Sequence, residues 1–128
     1  MVTIATAMGA VMALAGGAQA DPGRPNNYIA GDVGSEGFWV KYSTYRTIPA
    51  SWRNVDIYYD NKPDSKIRIY LRHSLDYRLT DPVELSSTSK TYRLGTGMDA
   101  GTEFAITAQA TEFMWNNEDH HWGGQLYW

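Results

Sequence analysis

Apolar and polar residues alternate along four separate stretches of the 128-residue chain, and this period of two constrains the fold more than any other feature. The stretches are residues 38–42, 55–59, 67–71 and 104–108. Because successive side chains of a β-strand point to opposite faces, such alternation predicts strands that are buried on one face. From residue 28 onward, no helix-length stretch has the spacing of an amphipathic helix. The pattern therefore predicts an all-β domain.

Turn-forming residues separate the alternating stretches. The segment Asp-Asn-Lys-Pro-Asp-Ser at 60–65 consists of residues that favour turns, and it predicts a hairpin loop. One-sided alternation favours antiparallel sheets with one wet face. Seven or eight short strands separated by such corners are typical of a small antiparallel β-sandwich or a compact barrel. We expect strands at residues 37–45, 53–60, 66–73, 76–80, 83–87, 90–95, 102–112 and 124–128.

The core must stabilise the domain without disulfides, because the chain contains no cysteine. Packing, a bound ion or association has to compensate in so small a protein. Aromatic residues are numerous (five Trp, nine Tyr and three Phe), and they favour strands. The apolar phase of the strands identifies the side chains that we expect to point inward: Val55, Ile57, Ile67, Ile69, Leu71, Phe104 and Ile106.

Residues 1–20 have the pattern of a secretory signal peptide. Residues 4–15 are apolar and uncharged, and Ala18-Gln19-Ala20 fits the small-residue site that a signal peptidase recognises. The apolar run is shorter than the roughly 20 residues that a membrane-spanning helix needs. We therefore expect a cleaved signal peptide at 1–20 and a secreted protein.

The rest of the chain divides into a leader and one domain. Residues 21–27 are rich in Pro, Gly and Asn, which predicts a flexible leader. Residues 28–128 contain no linker and no internal repeat, and their number suits a single core. We expect this single β domain to be a monomer.

The balance of charges argues against two classes of partner. The chain has 11 Lys and Arg residues against 14 Asp and Glu residues, a net charge of −3 with the signs well mixed. A nucleic-acid-binding protein would show a basic stripe, and a protein bound to anionic lipid would show a polybasic segment. Six of the eight expected strands are also shorter than the strands of about 9–11 residues that cross a membrane, and the chain is too small for such a barrel. We expect neither a nucleic-acid partner nor membrane insertion.

Candidate catalytic and metal-binding residues are sparse. Two of the three histidines, His120 and His121, follow Glu118 and Asp119. Neighbouring residues on a strand point to opposite faces, so only an irregular loop would let these side chains hold one zinc-like ion. No G-x-S-x-G motif marks a serine nucleophile. We interpret the cluster as a solvated loop and expect no catalytic residue, no metal and no cofactor.

Aromatic residues crowd the C-terminal end of the chain around a polar loop at 116–121. Exposed rings beside amides and carboxylates can hold a sugar, because the rings stack on its apolar face while the polar groups bind its hydroxyls. The same rings could instead close the sandwich core, where cross-strand aromatic pairs stabilise sheets. The candidate ligand-binding residues are Trp115, Asn116, Asn117, Asp119 and Trp122.

Three functions fit these residues. The first hypothesis is a secreted, non-enzymatic binding module that recognises an extracellular polysaccharide or another polymer of the cell envelope. The second is a secreted protein that binds another protein, as an inhibitor, an antagonist or a neutraliser of a protein from another cell. The third is a small metal-assisted hydrolase that uses residues 118–121. A flat row of exposed rings would favour a glycan, whereas a convex apolar patch would favour a protein partner.

Export can be tested on protein recovered outside the cell. Because Ala18-Gln19-Ala20 fits the cleavage site, mass spectrometry of the intact protein should find Asp21 at its N-terminus. Deletion of residues 1–20 should leave the melting temperature of the folded protein essentially unchanged. A mature, folded protein that still begins at Met1 would contradict the prediction.

Overall fold

The computed structural model describes residues 23–34, 36–111 and 120–128, which form nine β-strands and no helix. Within those residues, accordingly, no helix is long and apolar enough to cross a membrane. The strands are β1 (Asn26–Asp32), β2 (Val40–Lys41), β3 (Arg46–Thr47), β4 (Arg53–Asn61), β5 (Ile67–His73), β6 (Val83–Leu85), β7 (Lys90–Met98), β8 (Glu103–Ala110) and β9 (His121–Tyr127).

The strands form two sheets that pack together as a sandwich. Sheet A has the strand order β1-β9-β4-β7. Sheet B has the order β2-β8-β5-β6, and β3 also pairs with β8. Every pairing between these strands is antiparallel. The prediction of a small antiparallel β-sandwich is confirmed.

Apolar side chains from the facing surfaces of the two sheets fill the core. All of the side chains that we expected to point inward are buried. In the ladder of sheet B, Ile69 and Leu71 of β5 lie opposite Ala108 and Ile106 of β8. Burial of one such side chain contributes roughly 1.5–3 kcal/mol. The prediction for these core positions is confirmed, and the core stabilises the domain without a disulfide.

Strand β1 is absent from the sequence-based expectations, which place residues 21–27 in a flexible leader. Its sequence lacks apolar alternation, and most of its side chains are exposed. The strand forms because its backbone pairs with β9, from Asn26 opposite Tyr127 to Asp32 opposite His121. Periodicity does not detect such an edge strand, since backbone pairing needs no apolar side chain. The end of the expected leader therefore belongs to sheet A.

Arg24 ties the segment before β1 to the same sheet. Its Nη1 donates to Asp56 Oδ2 at 2.9 Å, and its Nη2 donates to the carbonyl oxygens of Asn54 and Tyr127. Asp56 is buried, and Arg93 of β7 donates to its other oxygen at 2.8 Å. Two guanidinium groups thus compensate one carboxylate that has been removed from water. The segment expected to be flexible is anchored from Arg24 onward.

Two other expected strands also differ from the structure. The strand expected at 37–45 is reduced to β2, and β3 begins only after that range; the guanidinium of Arg72 binds a main-chain carbonyl between the two strands. The strand expected at 76–80 is reduced to one bridge, between Arg72 and Arg78. Asp76 begins that segment with a φ of 70°, in the left-handed region that regular strands do not adopt.

Truncation of Ile69 tests the packing of the core. Ile69→Ala should lower the free energy of unfolding by about 2–5 kcal/mol, because it leaves a cavity at a fully buried position. Leu75→Ala is the matched control, since Leu75 is 77 % exposed, and it should change that free energy by no more than about 0.5 kcal/mol. Urea denaturation measures both values. Equal effects of the two substitutions would contradict the burial of Ile69.

Candidate functional site

Trp122 is the predicted site residue that the structure describes, and it lies in the core with 1 % of its surface exposed. Its indole Nε1 donates to Tyr42 Oη at 3.0 Å, and the two rings meet edge to face with centroids 5.8 Å apart. The ring is thus enclosed rather than exposed, and the ligand-binding role predicted for Trp122 stays a prediction. The other residues predicted for that site lie outside the described residues: Trp115, Asn116, Asn117 and Asp119.

Only part of the acidic and histidine cluster at 118–121 lies within the described residues. Glu118 and Asp119 lie outside the described residues. His121 begins β9, and its Nδ1 lies 3.0 Å from Oδ1 of Asp32, its cross-strand neighbour on β1. Within the described part of the chain, the structure brings no three metal-ligating side chains together.

The outer surface of sheet B carries a cluster of guanidinium groups and rings, here called the arginine–aromatic face: Trp39, Arg68, Tyr70, Arg72 and Arg78. Since Ile69 and Leu71 point into the core, the alternate residues of β5 point outward. The Trp39 ring meets the Tyr70 ring at 70°, with centroids 4.9 Å apart.

Cation–π contacts hold this cluster together. The guanidinium carbon of Arg78 lies 4.5 Å from the ring centroid of Tyr70 and 6.0 Å from that of Trp39. The guanidinium carbon of Arg68 lies 5.9 Å from the Trp39 centroid. The ring quadrupole attracts a cation at these distances, by about 0.5–1 kcal/mol at exposed sites. Side chains from three separate segments therefore form one surface.

Arg72 is buried on this outward surface, with 4 % of its area exposed. Its Nη1 donates to Thr107 Oγ1 at 2.7 Å, and its Nη2 donates to the carbonyl oxygen of Tyr42 at 2.8 Å. Nη2 also donates to Tyr45 Oη at 3.2 Å, and Nε lies 3.3 Å from a carboxylate oxygen of Asp76. The guanidinium therefore joins β5 to β8 and to the segment between β2 and β3.

The arginine–aromatic face contains three guanidinium groups, those of Arg68, Arg72 and Arg78, although the net charge of the chain is −3. Asp76 accepts hydrogen bonds from Lys41 at 3.0 Å. Glu84 of β6 lies opposite Arg68 in the ladder. Arg78, in contrast, makes no ion pair with any carboxylate of the described residues. Its charge is available to a partner.

Exposed apolar side chains occur close in sequence to residues of the arginine–aromatic face. Phe38, which precedes Trp39 in the chain, is 73 % exposed. Leu75, on the turn after β5, and Tyr45, whose hydroxyl meets Arg72, are also exposed. Single exposed apolar residues are common on proteins, whereas several around one surface indicate an interaction site.

A second candidate site is a pocket at the open edge of the sandwich, here called the edge pocket. It has a volume of about 270 Å³ and lies between β1 of sheet A and the β2–β3 segment of sheet B. Because β1 pairs with β9 and β3 pairs with β8, the two sheets do not join at this edge. Its lining combines apolar side chains of the core with polar side chains nearer to solvent: Ile29, Ile106 and Trp122 with Asn27, Thr44 and Arg46.

Two hydrogen bonds cross the opening of the edge pocket. Tyr42 Oη donates to the carbonyl oxygen of Asp32 at 2.7 Å while it accepts from Trp122. Arg46 Nε donates to Asn27 Oδ1 at 3.2 Å. Burial raises the pKa of Tyr42 above its ordinary value, so its hydroxyl stays protonated and keeps its donor role. These contacts hold the two sheet edges at a set separation.

Arg46 is half-buried beside the pocket. Its Nη1 donates to the carbonyl oxygen of Thr44 at 3.2 Å, and its guanidinium carbon lies 5.4 Å from the Trp128 ring centroid. Burial lowers the pKa of Arg46, although a guanidinium stays charged at neutral pH. None of the carboxylates that the structure describes lies within ion-pair distance of it.

The sequence carries a signal for the first of these sites and none for the second. The outward-pointing residues of β5 are Arg68, Tyr70 and Arg72. Such a combination of arginine and aromatic residues is typical of interaction surfaces. The edge pocket is assembled from β1, β3, β8 and β9, which are distant in sequence. Only the pairing of the strands brings its residues together.

Comparisons with known proteins do not supply a family for this chain. No protein-family model, curated protein or solved structure matches it. The function is therefore argued from the arrangement of the residues themselves.

Substitution of Trp122 tests its place in the core. Trp122→Ala should lower the free energy of unfolding by about 3–5 kcal/mol, because it empties a large buried volume. Trp122→Phe should cost less, since it keeps an aromatic ring and loses mainly the hydrogen bond to Tyr42. Urea denaturation measures both values. A Trp122→Ala variant as stable as the wild type would place the ring outside the core.

Proposed function

We propose that this chain is a secreted, non-enzymatic protein that binds an acidic partner protein through the arginine–aromatic face. The observation that carries the proposal is the unpaired guanidinium of Arg78, which lies over the Tyr70 ring and beside the Trp39 ring. Arginine and large aromatic residues are enriched at the centres of protein interfaces, where a few of them supply most of the binding energy.

The arrangement of the rings favours a protein over a glycan. A sugar chain needs rings that lie flat in the surface, whereas the Trp39 and Tyr70 planes are inclined at 70°. Phe38 and Leu75 add exposed hydrocarbon that offers no hydrogen bond to a hydroxyl. An uneven apolar border around charged side chains suits the pockets and ridges of a protein surface.

The guanidinium groups of the arginine–aromatic face support an acidic partner. Arg78 has no carboxylate partner among the described residues, and Lys41 shares Asp76 with Arg72. Complementary charge steers two proteins together and fixes their relative orientation. The same groups argue for binding rather than catalysis, because a guanidinium stays protonated at neutral pH and is therefore a poor general acid or base.

Two substitutions on the face and one matched control test the proposal. Trp39→Ala removes a ring of the face, and Arg78→Glu reverses its unpaired charge. Trp52→Ala is the control, because Trp52 is 83 % exposed and lies in the turn before β4. Each protein is immobilised and exposed to extracellular proteins of the producing organism and of organisms grown with it. Quantitative mass spectrometry then compares what each variant retains.

At least one acidic protein should be retained by the wild type and by Trp52→Ala. Trp39→Ala and Arg78→Glu should each reduce its retention about tenfold or more, as expected for residues at the centre of an interface. Melting temperatures of all variants confirm that each one is folded. Retention that is unaffected by both face variants contradicts the proposal. So does a wild type that retains no protein but binds polygalacturonate in a way that depends on Trp39.

A further inference from the structure

The edge pocket holds a half-buried charged group that no carboxylate of the described residues pairs with. Arg46 is half-buried, burial lowers its pKa, and no carboxylate of the described residues lies within ion-pair distance of it. A charge withdrawn from water is normally paired, because the lost hydration has to be replaced. The partner that is missing from the described residues can come from a ligand.

The hydrogen bonds of Arg46 leave some N–H donors of its guanidinium available to a ligand. Nε donates to Asn27 Oδ1, and Nη1 donates to the carbonyl oxygen of Thr44. These are the two hydrogen bonds that the guanidinium makes to the described residues. Both acceptors are neutral. A guanidinium has five N–H donors in one plane, and a carboxylate accepts two of them in parallel with more energy than a neutral acceptor provides.

The rest of the lining matches the two-sided character of a sugar ring. Ile29, which is half-buried, gives the pocket apolar surface beside the buried side chains of Ile106 and Trp122, and the exposed Thr44 and Asn27 add a hydroxyl and an amide. A sugar has an apolar face of C–H groups and hydroxyls around its edge, so it needs both kinds of surface. The volume of about 270 Å³ lies below the range of roughly 300–1,000 Å³ that drug-sized ligands occupy, and it suits a single ring.

We propose that the edge pocket binds one carboxylated sugar ring, a uronate, with its carboxylate on Arg46 and its hydroxyls toward Thr44 and Asn27. One cation in the lining matches the single charge of a carboxylate better than the charge of a phosphate monoester, which is about −1.5 to −2 at neutral pH. This site is separate from the arginine–aromatic face: Arg46 lies opposite the inward-pointing Phe104 in the ladder, whereas that face points away from the core.

A titration with three small molecules tests the ligand class. Sodium glucuronate carries both the ring and the carboxylate, glucose carries the ring alone, and benzoate carries a carboxylate on a flat apolar ring. Two-dimensional NMR of the ¹⁵N-labelled protein should show shifts at Ala30 and Thr44 with glucuronate, and at least tenfold weaker effects with glucose and with benzoate. Equal binding of glucose overturns the role of Arg46, and binding of benzoate alone overturns the sugar.

Substitutions distinguish a loss of ligand binding in the edge pocket from a loss of folding. Arg46→Gln should weaken glucuronate binding about tenfold or more, because it removes the charge that pairs with the carboxylate. Arg53→Gln is the matched control: Arg53 also donates to a main-chain carbonyl, that of Trp128, but it does not line the pocket. Its affinity for glucuronate should equal that of the wild type. An unchanged affinity in Arg46→Gln overturns the proposal.

A second pocket variant keeps the proposal testable if Arg46→Gln does not fold. Thr44 is exposed, so Thr44→Val should keep the melting temperature of the wild type, and loss of its hydroxyl should weaken glucuronate binding about fivefold. Unchanged binding in that variant overturns the assignment of a sugar. Trp39→Ala should bind glucuronate like the wild type, so failure of this proposal and failure of protein docking are distinguishable.

Discussion

The buried guanidinium of Arg72 is the contact on which the arrangement of sheet B depends. Its partners come from distant parts of the chain: Thr107 on β8, Tyr42 between β2 and β3, and Asp76 after β5. A charge in this position is tolerated because hydrogen bonds replace its hydration. Loss of one neutral acceptor would leave a buried N–H of the guanidinium without a partner, which costs about 1–3 kcal/mol. The short strands β2 and β3 are therefore held by a side chain as well as by their ladders.

Tyr42 connects this clamp to sheet A across the open edge of the sandwich. Its carbonyl oxygen accepts from Arg72, and its hydroxyl joins Trp122 to the carbonyl oxygen of Asp32 on β1. One residue thus supports both the arginine–aromatic face and the edge pocket. Communication between two sites requires an element with two alternative arrangements. Contacts on both sides of Tyr42 favour a single arrangement, so we expect two rigid, independent surfaces.

Periodicity is sufficient to predict the strands that bury one phase of their side chains, such as β5 with Ile69 and Leu71. It is insufficient for β1, because pairing with β9 rests on the backbone. The role of Trp122 is beyond sequence reasoning for a different reason. An exposed anchor and a core ring can have the same neighbours in sequence, and what decides between them is Tyr42, 80 residues away. Likewise, the alternation along β5 predicts that Tyr70 points outward, but it does not predict the contact between Tyr70 and Trp39.

The last strand of the chain lies in the interior of sheet A, between β1 and β4. Until β9 is present, β1 has no neighbour in the sheet and β4 has only β7. Contacts between residues so distant in sequence form slowly, because a long loop must close before they contribute any energy. Sheet A therefore cannot be completed before β9 has been synthesised, because both β1 and β4 pair with it.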